Sequence, residues 1–167
     1  FPVRGVSTLA SRTPMSVLVA NLNSKGLNHD ELETLLHEYG HVLHGVLFFG
    51  IFWFLRKRWS FGWRLPAAMA IEVAWEMMEN SPIIIDRYRA ATVSLGYTGD
   101  SIVNSTGDVI SFVAGYYLAA RLGLRWSIVF FLAVELLMLW FIRDNLALNV
   151  LMLLWPIDAI RRWQSGG

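Results

Sequence analysis

Three features of the chain predict an all-α, polytopic transmembrane helical bundle of four to five spans, preceded by a short polar N-terminal segment. Of its 167 residues 55% are hydrophobic and the mean hydropathy is +0.45, above the roughly 45–50% apolar share of an ordinary soluble domain. The apolar residues gather into runs at about 42–55, 65–79, 105–120, 126–142 and 145–160. Seven of the eight tryptophans, Trp53, Trp59, Trp63, Trp126, Trp140, Trp155 and Trp163, lie at or near the ends of those runs. There an indole keeps its ring in apolar surroundings and its N–H in the polar interface. Trp75 is the mid-segment exception.

The elements follow in chain order. Residues 1–40 form one unit and 41–167 the other, because composition changes sharply near His41. The chain begins at Phe1 without an initiator methionine and reads as a fragment or processed product. In the first unit Met15-Ser16-Val17-Leu18-Val19-Ala20 is a strand-like piece whose edge needs a partner. Asn28-His29-Asp30, followed by Glu31-Leu32-Glu33, marks a helix start, with acidic groups in the first turn where the macrodipole favours them. That helix continues through Val42 to Leu55 and enters the bilayer before Arg56-Lys57-Arg58. The later runs fall short of the ~20 residues of an ideal span, so tilt or helix extension must supply the length. Pro66 suits a first helical turn and Pro156 a bend in the last helix.

Charge narrows the function classes. A net charge of +1, with no basic run interleaved with stacking aromatics, excludes nucleic acid and leaves the lipid bilayer as the evident partner. The absence of cysteine excludes disulfides, iron–sulfur clusters and thiolate zinc sites, leaving imidazole and carboxylate as the ordinary metal ligands. Lys and Arg are richest after the first run, at Arg56, Lys57, Arg58 and Arg64. With five spans this bias places that loop and the C-terminus in the cytoplasm and the N-terminal segment opposite. Asn104-Ser105-Thr106 matches a glycosylation acceptor, but nothing else in the chain supports a eukaryotic secretory context.

The chemistry concentrates at His37-Glu38-Tyr39-Gly40-His41, and all four histidines, His29, His37, His41 and His44, fall in its neighbourhood. Positions four apart share a helix face, so His37 and His41 can place two imidazoles on one Zn²⁺ while Glu38 reaches the metal-bound water. The competing reading is two membrane-boundary histidines that bond each other, a carbonyl or a lipid head group. Further on, Glu72, Glu76 and Glu79 follow an i, i+4, i+7 spacing along one face of the second apolar helix, and Glu135 lies midway along the fourth run. A charge within a span costs at least ~2.5–3.5 kcal/mol, so the stripe faces a bundle interior, a watery cavity or a metal. Three roles compete for it: a metal site completed by His37 and His41, a proton or solute path, and polar packing with Asn80, Asn104, Asp108, Arg143, Asp144 and Asn149. Asp86-Arg87 and Arg143-Asp144 are candidate surface ion pairs.

Two family resemblances meet in these residues. Residues 5–47, GVSTLASRTPMSVLVANLNSKGLNHDELETLLHEYGHVLHGVL, resemble the zinc-binding core of the M3 peptidases, the thimet oligopeptidase and oligopeptidase A group. This resemblance implies His37 and His41 as zinc ligands, Glu38 as the general base and a third ligand from a glutamate on a later helix. The stretch from Ile71 to Asn80 echoes that helix with Glu72 in the ligand position, though at a longer gap from His41 than the peptidases use. Ala114-Gly115-Tyr116-Tyr117 is similar to their substrate-binding tyrosine motif, set against a plain reading as membrane-helix aromatics. Residues 41–166 resemble the DUF2585 or UPF0314 family of bacterial inner-membrane proteins. The stretches that carry this are HGVLFFG at 44–50, EVAWEMMENSPIIIDRYRAATVSLGYTGDSIVNSTGDV at 72–109 and IRDNLALNVLMLLWPIDAIRRWQ at 142–164. The combined expectation is a zinc metallopeptidase-like protein of the bacterial inner membrane acting on peptides, with a non-enzymatic DUF2585-type membrane protein as the alternative.

Overall fold

The computed structural model describes residues 29–91 and 98–164, with side chains from Tyr39 onward except at residues 141 and 142. Six helices make up the described residues: α1 His29–Trp53, α2 Phe61–Glu79, α3 Pro82–Ala91, α4 Ile102–Ile142, α5 Leu146–Leu154 and α6 Asp158–Gln164. No strand occurs among them, and the strand-like 15–20 piece lies outside them.

Helix α1 carries the His-Glu-x-x-His pentad and the first apolar run without interruption. Helix α2 starts earlier than the hydropathy suggests. The Ser60 carbonyl accepts from Trp63 and Arg64, so the helix begins at Phe61. Pro66 therefore sits inside the helix, not in its first turn. Its missing N–H leaves the Gly62 carbonyl without the usual i+4 donor, near a solvated end where water can serve instead.

The third and fourth apolar runs are not separated by a polar loop. They form α4, broken at Gly123, whose φ of 74° and ψ of 164° lie in a region essentially only glycine enters. Ser127 Oγ donates to the carbonyls of Gly123 at 2.8 Å and Ala119 at 3.0 Å. Residues eight apart on a straight helix are separated by about 12 Å, so the chain folds back here. Consistent with this, Phe130 and Phe131 return to pack on the cluster that holds Tyr116 and Ala119. Helix α3 meets the chain on either side of this hairpin: Ile85 lies beside Gly99 ahead of it, while Arg87 donates to the carbonyls of Leu153 and Leu154 at the end of α5.

The last apolar run is also divided. Pro156 ends α5 rather than bending it, because the residue before a proline is pushed to extended backbone, here Trp155 at φ −139° and ψ 86°. Nine residues cover about 14 Å, under half a hydrocarbon core of ~30 Å, so the fifth expected span is not one helix. By length and composition one helix among the described residues can cross a membrane, the Ile102–Trp140 part of α4.

The core lies between α1 and the first limb of α4, which run parallel. A Cβ at Gly45 would meet the Phe112 carbonyl, and one at Gly115 the Val42 carbonyl, so the two backbones touch. Val46, Phe49, Phe112, Tyr116 and Ala119 fill the seam beside them. Tyr116 is fully buried among the rings of Phe49, Phe61 and Phe112, which makes it a packing residue. At one end of the bundle lie Arg56, Lys57, Arg58, Arg121 and Arg125 with exposed Trp59, Trp63 and Trp126; Trp140, Trp155 and Trp163 are exposed at the other.

Candidate metal centre

The Gly45 and Gly115 contacts set the register that brings α1 side chains level with Asp108, and α2 closes over both. Glu72 Oε1 lies 2.9 Å from His41 Nδ1 and 3.2 Å from His44 Nδ1. Glu76 Oε1 is 3.4 Å from His41 Nδ1, and Asp108 Oδ1 is 3.7 Å from His41 Nε2. The two rings meet edge to face with centroids 5.2 Å apart. The cluster is nearly dry: His41 is 4% exposed, Glu72 1%, Glu76 5% and Asp108 1%.

Ligand–ligand edges in a tetrahedral zinc site with ~2.0–2.1 Å bonds are about 3.3 Å. The 2.9, 3.2 and 3.4 Å separations among His41, His44, Glu72 and Glu76 lie close to that edge. Two overlapping three-residue groups result, His41 with His44 and Glu72, and His41 with Glu76 and Asp108. Three carboxylates beside two imidazoles in a low-dielectric interior require neutralisation, by protons or by a cation. Glu76 Oε1 is buried without a hydrogen-bond partner, while Ser105 hydrogen-bonds the same carboxylate.

His41 and Glu72, singled out in the sequence as ligands, thus sit together. His37 and Glu38 lie in α1, but their side chains are outside the described residues. His44 and Asp108 were not read as ligands, and Glu76 only as part of the carboxylate stripe, although His41 and His44 share a helix face at i, i+3 and Asp108 is a lone acid in an apolar run. The remaining carboxylates have other tasks. Glu79 hydrogen-bonds Tyr88 on α3, and burial together with that carboxylate pushes the Tyr88 phenol above its ordinary value. Glu135 accepts from Leu146 N and Ala147 N, both at 3.0 Å, and so caps α5. Asn145 completes that cap through Leu148 N at 2.8 Å.

The candidate surface pairs are rearranged. Asp86 lies 3.5 Å from Arg89 rather than Arg87, which is engaged with α5, and Arg143 donates to the Trp163 carbonyl. Asp144 accepts from Asn145 N and Gln164 Nε2, and burial raises its pKa to about 6.

Fold and site together define an all-α, apolar helical protein with a buried histidine–carboxylate centre. The family model described as "Protein of unknown function (DUF2585)" matches residues 17–166, pentad included. The chain belongs to the DUF2585 family. It is 53% identical over 125 residues to a UPF0314 protein of Paracoccus denitrificans, covering 75% of this chain and 65% of that protein. Similar relatives are UPF0314 proteins of Agrobacterium fabrum, 50% identical over 125 residues (75% of this chain, 63% of the relative), and Novosphingobium aromaticivorans, 48% over 136 (78% and 69%). The chain spans about two thirds of the length of these curated relatives. No solved structure matches it.

Proposed function

We propose that this chain is a non-enzymatic protein of the bacterial inner membrane that holds a divalent transition metal, Zn²⁺ by ligand type, within its helical bundle. The observation that carries the reading is the convergence of His41 Nδ1, His44 Nδ1 and Glu72 Oε1 within 4.8 Å of one another, with His41 and Glu72 buried and His44 part-buried. Imidazole and carboxylate suit zinc, and Glu76, 3.4 Å from His41 Nδ1 in the adjoining group, is placed to swing in as a fourth ligand. Burial favours a closed binding site over a hydrolytic one, which needs an open position for water and room for a peptide.

Four spans fit the bundle: α1, α2 and the two limbs of α4, residues 102–122 and 124–142. At 1.5 Å per residue these limbs measure roughly 31 and 28 Å, close to a hydrocarbon core. The two sets of exposed tryptophans then sit at opposite interfaces. Arg56, Lys57, Arg58, Arg64, Arg121 and Arg125 gather at one end without an acidic residue nearby, which supports placing that end in the cytoplasm.

Zinc analysis of the purified protein in detergent tests the reading. About one tightly held zinc per chain is expected, lost in His44→Ala and in Glu72→Ala but kept in His37→Ala. A metal-free wild type refutes it. The reverse histidine pattern, zinc kept without His44 and lost without His37, favours the peptidase-like set of His37, His41 and Glu72. Peptide cleavage abolished by Glu38→Gln with zinc retained would then identify an enzyme.

A further inference from the structure

A cleft of about 480 Å³ runs between α2 and the first limb of α4. One side of it is apolar, with Val73, Met77 and Val109, and a polar strip of Asn80, Asp100 and Ser105 runs along it to Glu76, with Thr106 also on its wall. That volume is within the range of small-ligand sites. The cleft begins at the end of the bundle opposite Arg56–Arg58, where Asp100 and Asn80 lie, and leads inward toward Glu76. Glu76 is the one member of the metal cluster that lines this space, while Glu72 and His41 lie behind it. Its Oε1, buried and without a hydrogen-bond partner, stands 3.4 Å from His41 Nδ1.

We infer that this cleft is the loading route of the buried centre, and that Glu76 is the first ligand an entering divalent cation meets before His41, His44 and Glu72. The inference rests on the metal-binding reading and adds to it a direction and an order of contact. Asp100 at the mouth favours cations over anions, and Glu76, which lines the cleft while its buried Oε1 faces His41, offers an arriving ion a carboxylate ligand in exchange for its water. His41 then serves both groups, since it faces Glu72 and Glu76 through Nδ1 and Asp108 through Nε2. The ion is passed inward by changing carboxylates while one imidazole stays bound.

The chain contains no cysteine, so Thr106→Cys introduces a unique thiol on the cleft wall. This variant is loaded with zinc, then treated with either a bulky or a methyl thiosulfonate, and zinc release to an excess of chelator is timed. The bulky adduct is expected to slow exchange by about tenfold or more with zinc stoichiometry unchanged, and the methyl adduct to leave it near the untreated rate. Met77→Trp narrows the opposite wall without a thiol and is expected to slow exchange in the same way. Unchanged exchange rates in the bulky adduct and in Met77→Trp, with one zinc still bound, overturn the route but leave the metal site standing. A wild type that binds no zinc overturns the site itself.

Discussion

Replacing Glu135 separates a structural carboxylate from a functional one. Its two oxygens accept from Leu146 N and Ala147 N at 3.0 Å, closing the first turn of α5 against the second limb of α4. A hydrogen bond to a charged group contributes about 1.5–3 kcal/mol, and the ionised acceptor at a helix N-terminus adds a favourable dipole interaction. Glu135→Leu removes both bonds. Water can reach the exposed Ala147 and offsets part of the loss, so the expected destabilisation is about 2–4 kcal/mol. Glu135→Gln keeps one acceptor oxygen but turns an amide N–H₂ toward the second donor, and about half that loss is expected. For a chain of this size these figures correspond to a fall in the thermal midpoint of roughly 5–12 °C for Leu and less for Gln. Thermal unfolding in detergent, followed by circular dichroism, reads both. A midpoint that stays put or rises in Glu135→Gln refutes the capping argument, because it would mark the carboxylate as a buried charge held without structural return.

Other perturbations follow from the same geometry. Asp144 has a folded pKa raised to about 6 by burial, so its ionisation opposes folding. Stability should be undiminished below the ordinary carboxylate pKa near 4 and decline as pH rises to about 6, by on the order of 1–3 kcal/mol. Asp144→Asn, which keeps an acceptor for Asn145 N and Gln164 Nε2, should flatten the thermal midpoint over that window; an unaltered pH profile contradicts the assignment. Gly115→Leu forces α1 and α4 apart at Val42 and should lower both the thermal midpoint and zinc retention, whereas Gly40→Ala, with open space around its Cβ position, should change neither. Arg87→Ala frees the Leu153 and Leu154 carbonyls and should raise protease susceptibility after α5 while leaving zinc content intact; loss of zinc would show that α3 supports the centre after all.

Much of the architecture was legible from residue order. Helix α1, the second apolar helix and the tryptophan positions follow from runs and end preferences, which act locally. So does a reversal between the third and fourth runs, but not its form, because Arg121 and Arg125 look like an ordinary polar loop and a single glycine announces no particular φ. The purpose of Glu135 was hidden too: its donors lie 11 and 12 residues downstream, beyond any helical periodicity. At the centre, the Glu72–Glu76–Glu79 stripe was visible but not divisible. The register that brings His41 and His44 level with Asp108 depends on Gly45 and Gly115 seating two backbones together, while Glu79 is drawn instead to Tyr88 on α3. Small residues mark such contacts only once the partner helix is known.

The glycine seam between α1 and α4 has a mechanical consequence. Two helices locked main chain to main chain form a rigid spine, and His41, His44 and Asp108 are mounted on it. Glu72 and Glu76 ride instead on α2, which has no such lock. Any breathing of the centre is therefore a swing of one leaf that withdraws both glutamates as a pair, while the imidazoles and Asp108 hold their places.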